Sequence, residues 1–448
     1  METKLGRDPT YHVDCEGPAK VDIQMKITAA ITAMLVLSAP AWSRAEPEAS
    51  PSPPGSVETY EELPVLKASE ILRDDVLSGP HHKVREDVPT YSGANRFTID
   101  SDFGLFEGDG NAMLERRINE INAIARLKDI SRTDEYKNAL LKAAKSPVMA
   151  AKQIISDPRG TVQSAQKGIM KFMNSAGESL KGIGKGKEPN KYEGSQMQQM
   201  IGFSDTKRKM ALSLGVDPYS SNPVLQQELE EIAWASFAGG ATFSLATLPI
   251  GGGAGIALTT TGIESSLENI LRNESPKDLK ISNRRALIAM GATEAEANRL
   301  LENAAFSPTA STAFVVNLKS LDGVENRRAF IKAAGTNSNT ESDAIFCVQT
   351  AALMSKLHHG EHPLAQITTL GDFPICLGKN GTVIVALQWD YAAYTKLAAD
   401  FVQALAVRFN DKPSRLIAIS GMVSPQLRQE LEAKGETVQD RFMPGPLK

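Results

Sequence analysis

With 448 residues, 42% apolar and 23% charged, the chain has the composition of an ordinary globular protein of two or three domains. That balance excludes a disordered chain and a multi-span membrane protein. The net charge of −4 argues against a protein that coats nucleic acid, and no nucleic-acid partner is expected.

Residues 1–45 read as an upstream extension followed by a secretory signal peptide. Met25 and Lys26 precede an apolar run from Ile27 to Leu37, which is too short to span a bilayer by itself. Ser43 and Ala45 suit the positions before a cut at Glu46, and Ala39 and Ala41 offer an earlier site. The stretch before Met25 carries Asp8, Asp14, Glu16 and Asp22, unlike a short basic n-region, so translation is expected to begin at Met25. The mature chain is expected in the periplasm or outside the cell, associated with the envelope.

Residues 46–90 open with a Pro-, Ser- and Glu-rich run and read as a flexible tether. Residues 91–190 read as a β-hairpin plus helices. Phe97 to Ile99 and Leu105 to Phe106 flank a polar turn. Asp100, Asp102 and Asp109 do not make it a calcium loop, because Leu105 and Asn111 stand where glycine and glutamate are required. From Lys145 to Lys209 there are twelve Lys/Arg against five Asp/Glu. Within it, Thr161 to Leu180 carries an apolar stripe with Lys167 and Lys171 off it. Such a helix packs on its own core, or makes peripheral contact with an anionic membrane surface through those lysines.

Residues 191–360 read as a helical domain. Its centre, Ile232 to Ile263, runs 32 residues without a charge and contains seven glycines. Pro249 and the glycines that follow should break it into an αα-hairpin, with a first arm from Ile232 to Leu248 and a second helix from about Ala254. Ala235, Gly239, Gly251 and Gly255 offer spacings that let backbones approach. The arms are short for membrane spans and diluted by glycine, threonine and serine, so burial in protein is the expectation. In length and lack of charge, though not in motif, the segment resembles the hydrophobic hairpin of pore-forming colicins, which implies insertion into lipid as the alternative.

Past Pro363 the hydrophobic period changes. Ile367 to Leu370, Pro374 to Leu377 and Val383 to Leu387 read as strands, the last two joined at Asn380-Gly381. A helix from Tyr391 to Val407, a strand from Leu416 to Ile419 and a helix capped by Ser424-Pro425 complete an α/β module over 361–448. The fold class is therefore α+β and mainly helical: a multi-helix body with a central Gly-rich αα-hairpin and a small C-terminal α/β module.

Chemistry is sparse. His358, His359 and His362 are the one dense group of metal-ligating type, but they do not have the HExxH spacing, and Gly360 and Pro363 interrupt the helix that would align them. Cys347 and Cys376 are the two cysteines after the signal, and both a disulfide between them and a pair of buried thiols fit. The glycine run fails the dinucleotide and phosphate-loop patterns, and Ser420-Gly421 lacks the first glycine of a nucleophile elbow. No cofactor and no catalytic residue are assigned. The reading that follows is an exported, non-enzymatic interaction or structural module of the envelope, with a protein or envelope component as partner. The alternatives are a membrane-inserting protein using 232–263 and an enzyme with its site in the C-terminal α/β module.

Overall fold

A computed structural model describes residues 59–91, 93–144, 202–243, 264–443 and 445–448. The signal segment, the 161–180 stripe with Lys167 and Lys171, and the second arm of the uncharged hairpin lie outside the described residues.

The segment 65–90, expected as part of the tether, is instead folded. It supplies β1 (Val65–Lys67), α1 (Ala68–Ile71), α2 (Asp74–Leu77), β2 (Ser78–Gly79), β3 (His82–Val84) and β4 (Asp87–Tyr91). These join β5 (Ala94–Ser101) and β6 (Gly104–Asp109), the expected hairpin, in one antiparallel sheet of order β1-β4-β5-β3-β2 with β6 on β5. Strands β1 to β4 escape a composition argument because each is only two to five residues long. In β4 Val88 and Thr90 are buried while Asp87, Pro89 and Tyr91 face water.

Behind this sheet lie α3 (Asn111–Ser131) and α4 (Asp134–Ala144), joined by α5 (Phe203–Ser213) and α6 (Pro223–Gly239). Asn222 caps α6 as its sequence predicts, accepting from the Val224 and Leu225 amides. The four helices and the sheet share one core containing Phe97, Ile99, Leu114, Ile121, Leu225 and Trp234. The first arm of the uncharged stretch ends at Gly239, where Gly240 turns left-handed at φ +66, rather than continuing to Leu248. Among the described residues, Gly239 makes a close approach to α4. A Cβ on Gly239 would sit 2.3 Å from the Ala139 carbonyl oxygen.

A second core is helical: α7 (Glu264–Asn273), α8 (Pro276–Ala289), α9 (Glu294–Leu301), α10 (Pro308–Lys319), α11 (Arg328–Asn337) and α12 (Glu341–His359). Ser307 caps α10 with Pro308 in its first turn, and Thr340 and Asp343 close a capping box on α12. A buried ionic cluster ties the two cores together. Arg116 and Arg117 on α3 meet Glu120, Asp217 and Glu341, with Ser220, Asn222 and Thr309 filling the remaining acceptor sites.

The C-terminal module is built on β7 (Leu364–Leu370), β8 (Phe373–Gly378), β9 (Val383–Leu387), β10 (Tyr391–Ala392), α13 (Lys396–Arg408), β11 (Arg415–Ile419), β12 (Met422–Val423), α14 (Pro425–Ala433) and β13 (Thr437–Gln439). Its main sheet has the order β13-β11-β9-β8-β7, with β9, β11 and β13 parallel and β8 antiparallel to both neighbours. Alternation sorts the side chains to two covered faces. Val383, Val385, Leu387, Ile417 and Ile419 pack against α13 and α14, while Ile384, Ala386, Leu416 and Ala418 join the core of α12. Helix α13 starts at Lys396, five residues after the expected Tyr391, because Thr395 caps it and Tyr391-Ala392 is drawn into pairing with Met422-Val423.

Candidate functional site

In an open α/β sheet, ligands bind outside the carboxyl ends of the strands. Here β7, β9, β11 and β13 all point one way, since β8 runs antiparallel between β7 and β9. The ends of β9 and β11 are filled by the chain itself. The Asp390 amide donates to the Gly93 carbonyl at 2.8 Å, and the Trp389 ring lies where a Cβ on Gly93 would be, at 2.5 Å. The Asp390 carboxylate accepts from the Asn95 amide at 2.9 Å and the Asn111 amide at 3.1 Å, which locks the first sheet and α3 onto this edge. Burial nevertheless pushes the Asp390 carboxyl up to about 6, against those two donors. Over β11, the Phe442 amide donates to Ile419 and the Met443 amide to Ser420. Ser420 is buried and its hydroxyl donates to the Trp389 carbonyl at 2.7 Å, so its proton already has an acceptor in the backbone.

The end of β7 is different. Leu370 pairs with Phe373 across a two-residue turn, level with the end of β9, and the turn stands away from the first sheet's plug. There a pocket of about 50 Å³ opens between α11, the start of α12 and the β7–β8 turn. Its walls include Phe330, Ala333, Phe346, Cys347 and Phe373, with Asn337 and Asp372 as polar members. The Cys347 thiol is 3.6 Å from the Ser338 hydroxyl. Burial, with a smaller push from Asp343, raises this thiol to about 12, so it is a neutral wall group. Asp372 is exposed, and neither its carboxylate nor the Asn337 amide has a partner among the described residues. The pocket lining contains no lysine, arginine or histidine.

Of the two arrangements that the sequence leaves open for Cys347 and Cys376, a disulfide or two buried thiols, the structure has the second: both are free and buried. Cys376 points to the same core from β8 and is raised to about 12 by burial alone. Burial in a close-packed core accounts for both residues without a bridge.

The histidines do not converge either. Among the described residues no group of three His, Cys, Asp or Glu side chains could hold a metal ion. His358 accepts the Leu364 amide on Nδ1 at 3.1 Å, and His359 donates from Nδ1 to the Ser355 carbonyl at 2.8 Å. His362 sits past the end of α12, with its Nε2 buried and unpartnered. Burial, then His359 and Lys379, pushes the His358 pKa down. The pair thus finishes a helix C-terminus, which is a place that suits histidine without a metal.

Sequence reasoning missed Asn337 and Asp372 altogether. The only local signal was the Gly371-Asp372 turn between two strands, which carries no chemical pattern of its own. No protein-family model matches the chain, and neither a curated protein nor a solved structure matches it.

Proposed function

We propose that the protein is an exported, non-enzymatic interaction module of the cell envelope, and that the pocket at the end of β7 is its point of contact. One observation carries this reading. The sheet edge where an α/β enzyme would place its reacting groups is filled by the chain's own Gly93 turn, Asp390 latch and Phe442-Met443 tail. At the end of β7 lies a small apolar recess with unpartnered polar groups, which suits recognition of a side chain.

Site-specific photo-crosslinking in producing cells tests it. A photoreactive residue at Asp372 should yield a discrete adduct in the envelope fraction. The same residue at Leu105, exposed on the first sheet, should not. Equal adducts at both positions, or none at Asp372, would contradict the proposal. So would substrate turnover that is lost on Ser420→Ala.

A further inference from the structure

Three properties of the pocket at the end of β7 bear on what fills it. The first is size. A volume of about 50 Å³ is roughly four times what one water needs. It admits the tip of a branched aliphatic side chain and is too small for an indole. The second is the wall. Phe330, Phe346 and Phe373 present rings, Ala333 and Ala334 present methyl groups, and Cys347 contributes a neutral thiol. Phe330 is braced edge-on by Phe314 at 5.2 Å and Phe373 by Phe401 at 5.4 Å, so the rings are held by the cores behind them. Such a recess is not expected to collapse when empty.

The third is charge. Asp372 stands at the mouth, exposed and without a cation of its own. The C-terminus of α11 ends at Asn337, among the lining residues, and brings the negative end of its dipole to the same rim. The N-terminus of α12, which would oppose it, is already neutralised by Asp343, which accepts from the Asn339 and Thr340 amides. With no basic residue in the lining, the rim is electronegative over an apolar floor.

We infer that the pocket receives a leucine-like side chain of a partner segment, flanked in that segment by positive charge. The aliphatic tip enters between Phe330, Phe346 and Phe373, and a neighbouring lysine or arginine pairs with Asp372 at the mouth. The unpartnered Asn337 amide is placed to hydrogen-bond the segment's backbone. This names the chemistry of the partner and rests on the module being a binding unit.

Fluorescence-anisotropy titration of the full chain with labelled, capped pentapeptides tests the inference. The probes are Gly-Lys-Leu-Lys-Gly, its alanine-centred form Gly-Lys-Ala-Lys-Gly, and Gly-Glu-Leu-Glu-Gly. The lysine-flanked leucine peptide should bind saturably. The alanine-centred form should lose most of that affinity, and the glutamate-flanked form should bind at least about fivefold more weakly, the reach of an exposed ion pair. Asp372→Asn, an exposed change that leaves the cores alone, should narrow the gap between the two leucine peptides. Ala333→Leu, which fills the recess, should abolish binding of both. Should Ala333→Leu unfold the chain, the peptide comparison on wild type and Asp372→Asn decides alone. Equal binding of the lysine- and glutamate-flanked peptides, or no saturable binding of either, overturns the inference. A discrete crosslink at Asp372 alongside such a result would leave the interaction reading standing and remove only this ligand class.

Discussion

Asp390 is the residue on which the junction of the two sheets turns. Its carboxyl is raised from its ordinary 3.8 to about 6, so the folded chain binds a proton there that the unfolded chain releases. The sign follows from linkage. Between about pH 4 and 6 the native state holds more protons, so this group's contribution falls as pH rises through the window. The whole effect is worth about 3 kcal/mol. His82 and His358, both pushed down chiefly by burial, act oppositely, costing stability as pH falls through the ordinary histidine range. The comparison that isolates Asp390 is therefore between wild type and Asp390→Asn. Urea unfolding at pH 5 and 7.5 should show the variant gaining relative to wild type by about 1–1.5 kcal/mol at the higher pH. An unchanged difference between the two pH values would show that the carboxyl titrates as it does in the unfolded chain. At the same scale, Cys347 and Cys376 should resist iodoacetamide at pH 8 in the native state and label fully in denaturant without reductant. Labelling that requires reductant would restore the disulfide.

Among the elements, α6 shows how a glycine can be read from its spacing while one of its partners stays hidden. The sequence marks Gly239 as a place for close approach, and the structure brings it against α4, about a hundred residues earlier in the chain and beyond the reach of a local argument. Replacing Gly239 by alanine gains helix propensity of up to about 1 kcal/mol. It also forces a methyl group onto the Ala139 carbonyl oxygen. Overpacking should win, with a net loss of about 1–3 kcal/mol in thermal or urea unfolding. A more stable variant would mean that the two helices are not in contact there. The caps and strands that rest on neighbouring residues were legible: Ser424-Pro425 starts a helix, and β8 and β9 follow from short apolar runs joined at Asn380-Gly381. What was not legible depends on distant partners. β1 to β4 are two to five residues long, so they acquire a sheet identity only through their pairing partners. The pocket is assembled from α11, α12 and the Gly371-Asp372 turn, and it has no contiguous motif.

For the molecule as a whole, the interest lies in how three cores are made into one unit. Two of the polar junctions between the first sheet and its helices, the helical core and the α/β module bear on this. One is the Arg116 cluster. Burial disfavours the Arg116 charge, but Asp217, Glu120 and Glu341 outweigh it and hold the guanidinium protonated. Removing Arg116 as Arg116→Met leaves Glu120 and Asp217 buried together without their counter-charge, at a cost of about 3–5 kcal/mol. Because the cluster bridges two cores, urea unfolding of that variant should also lose the single cooperative transition. A single transition at wild-type midpoint would show that the cluster is not what couples them. The other junction is the Asp390 latch, and the account of function depends on it. If the carboxyl ends of β9 and β11 are permanently filled, that edge is closed to a substrate, as the proposed recognition role requires. Native-state hydrogen exchange at the Asn95, Asn111, Met422 and Phe442 amides measures this directly, because each donates into or over that edge. The account predicts that these four amides exchange only through global unfolding, with the same denaturant dependence as amides in β9. Exchange through a local opening, while the β9 amides stay protected, would reveal a crevice that opens on the sheet edge and would contradict it.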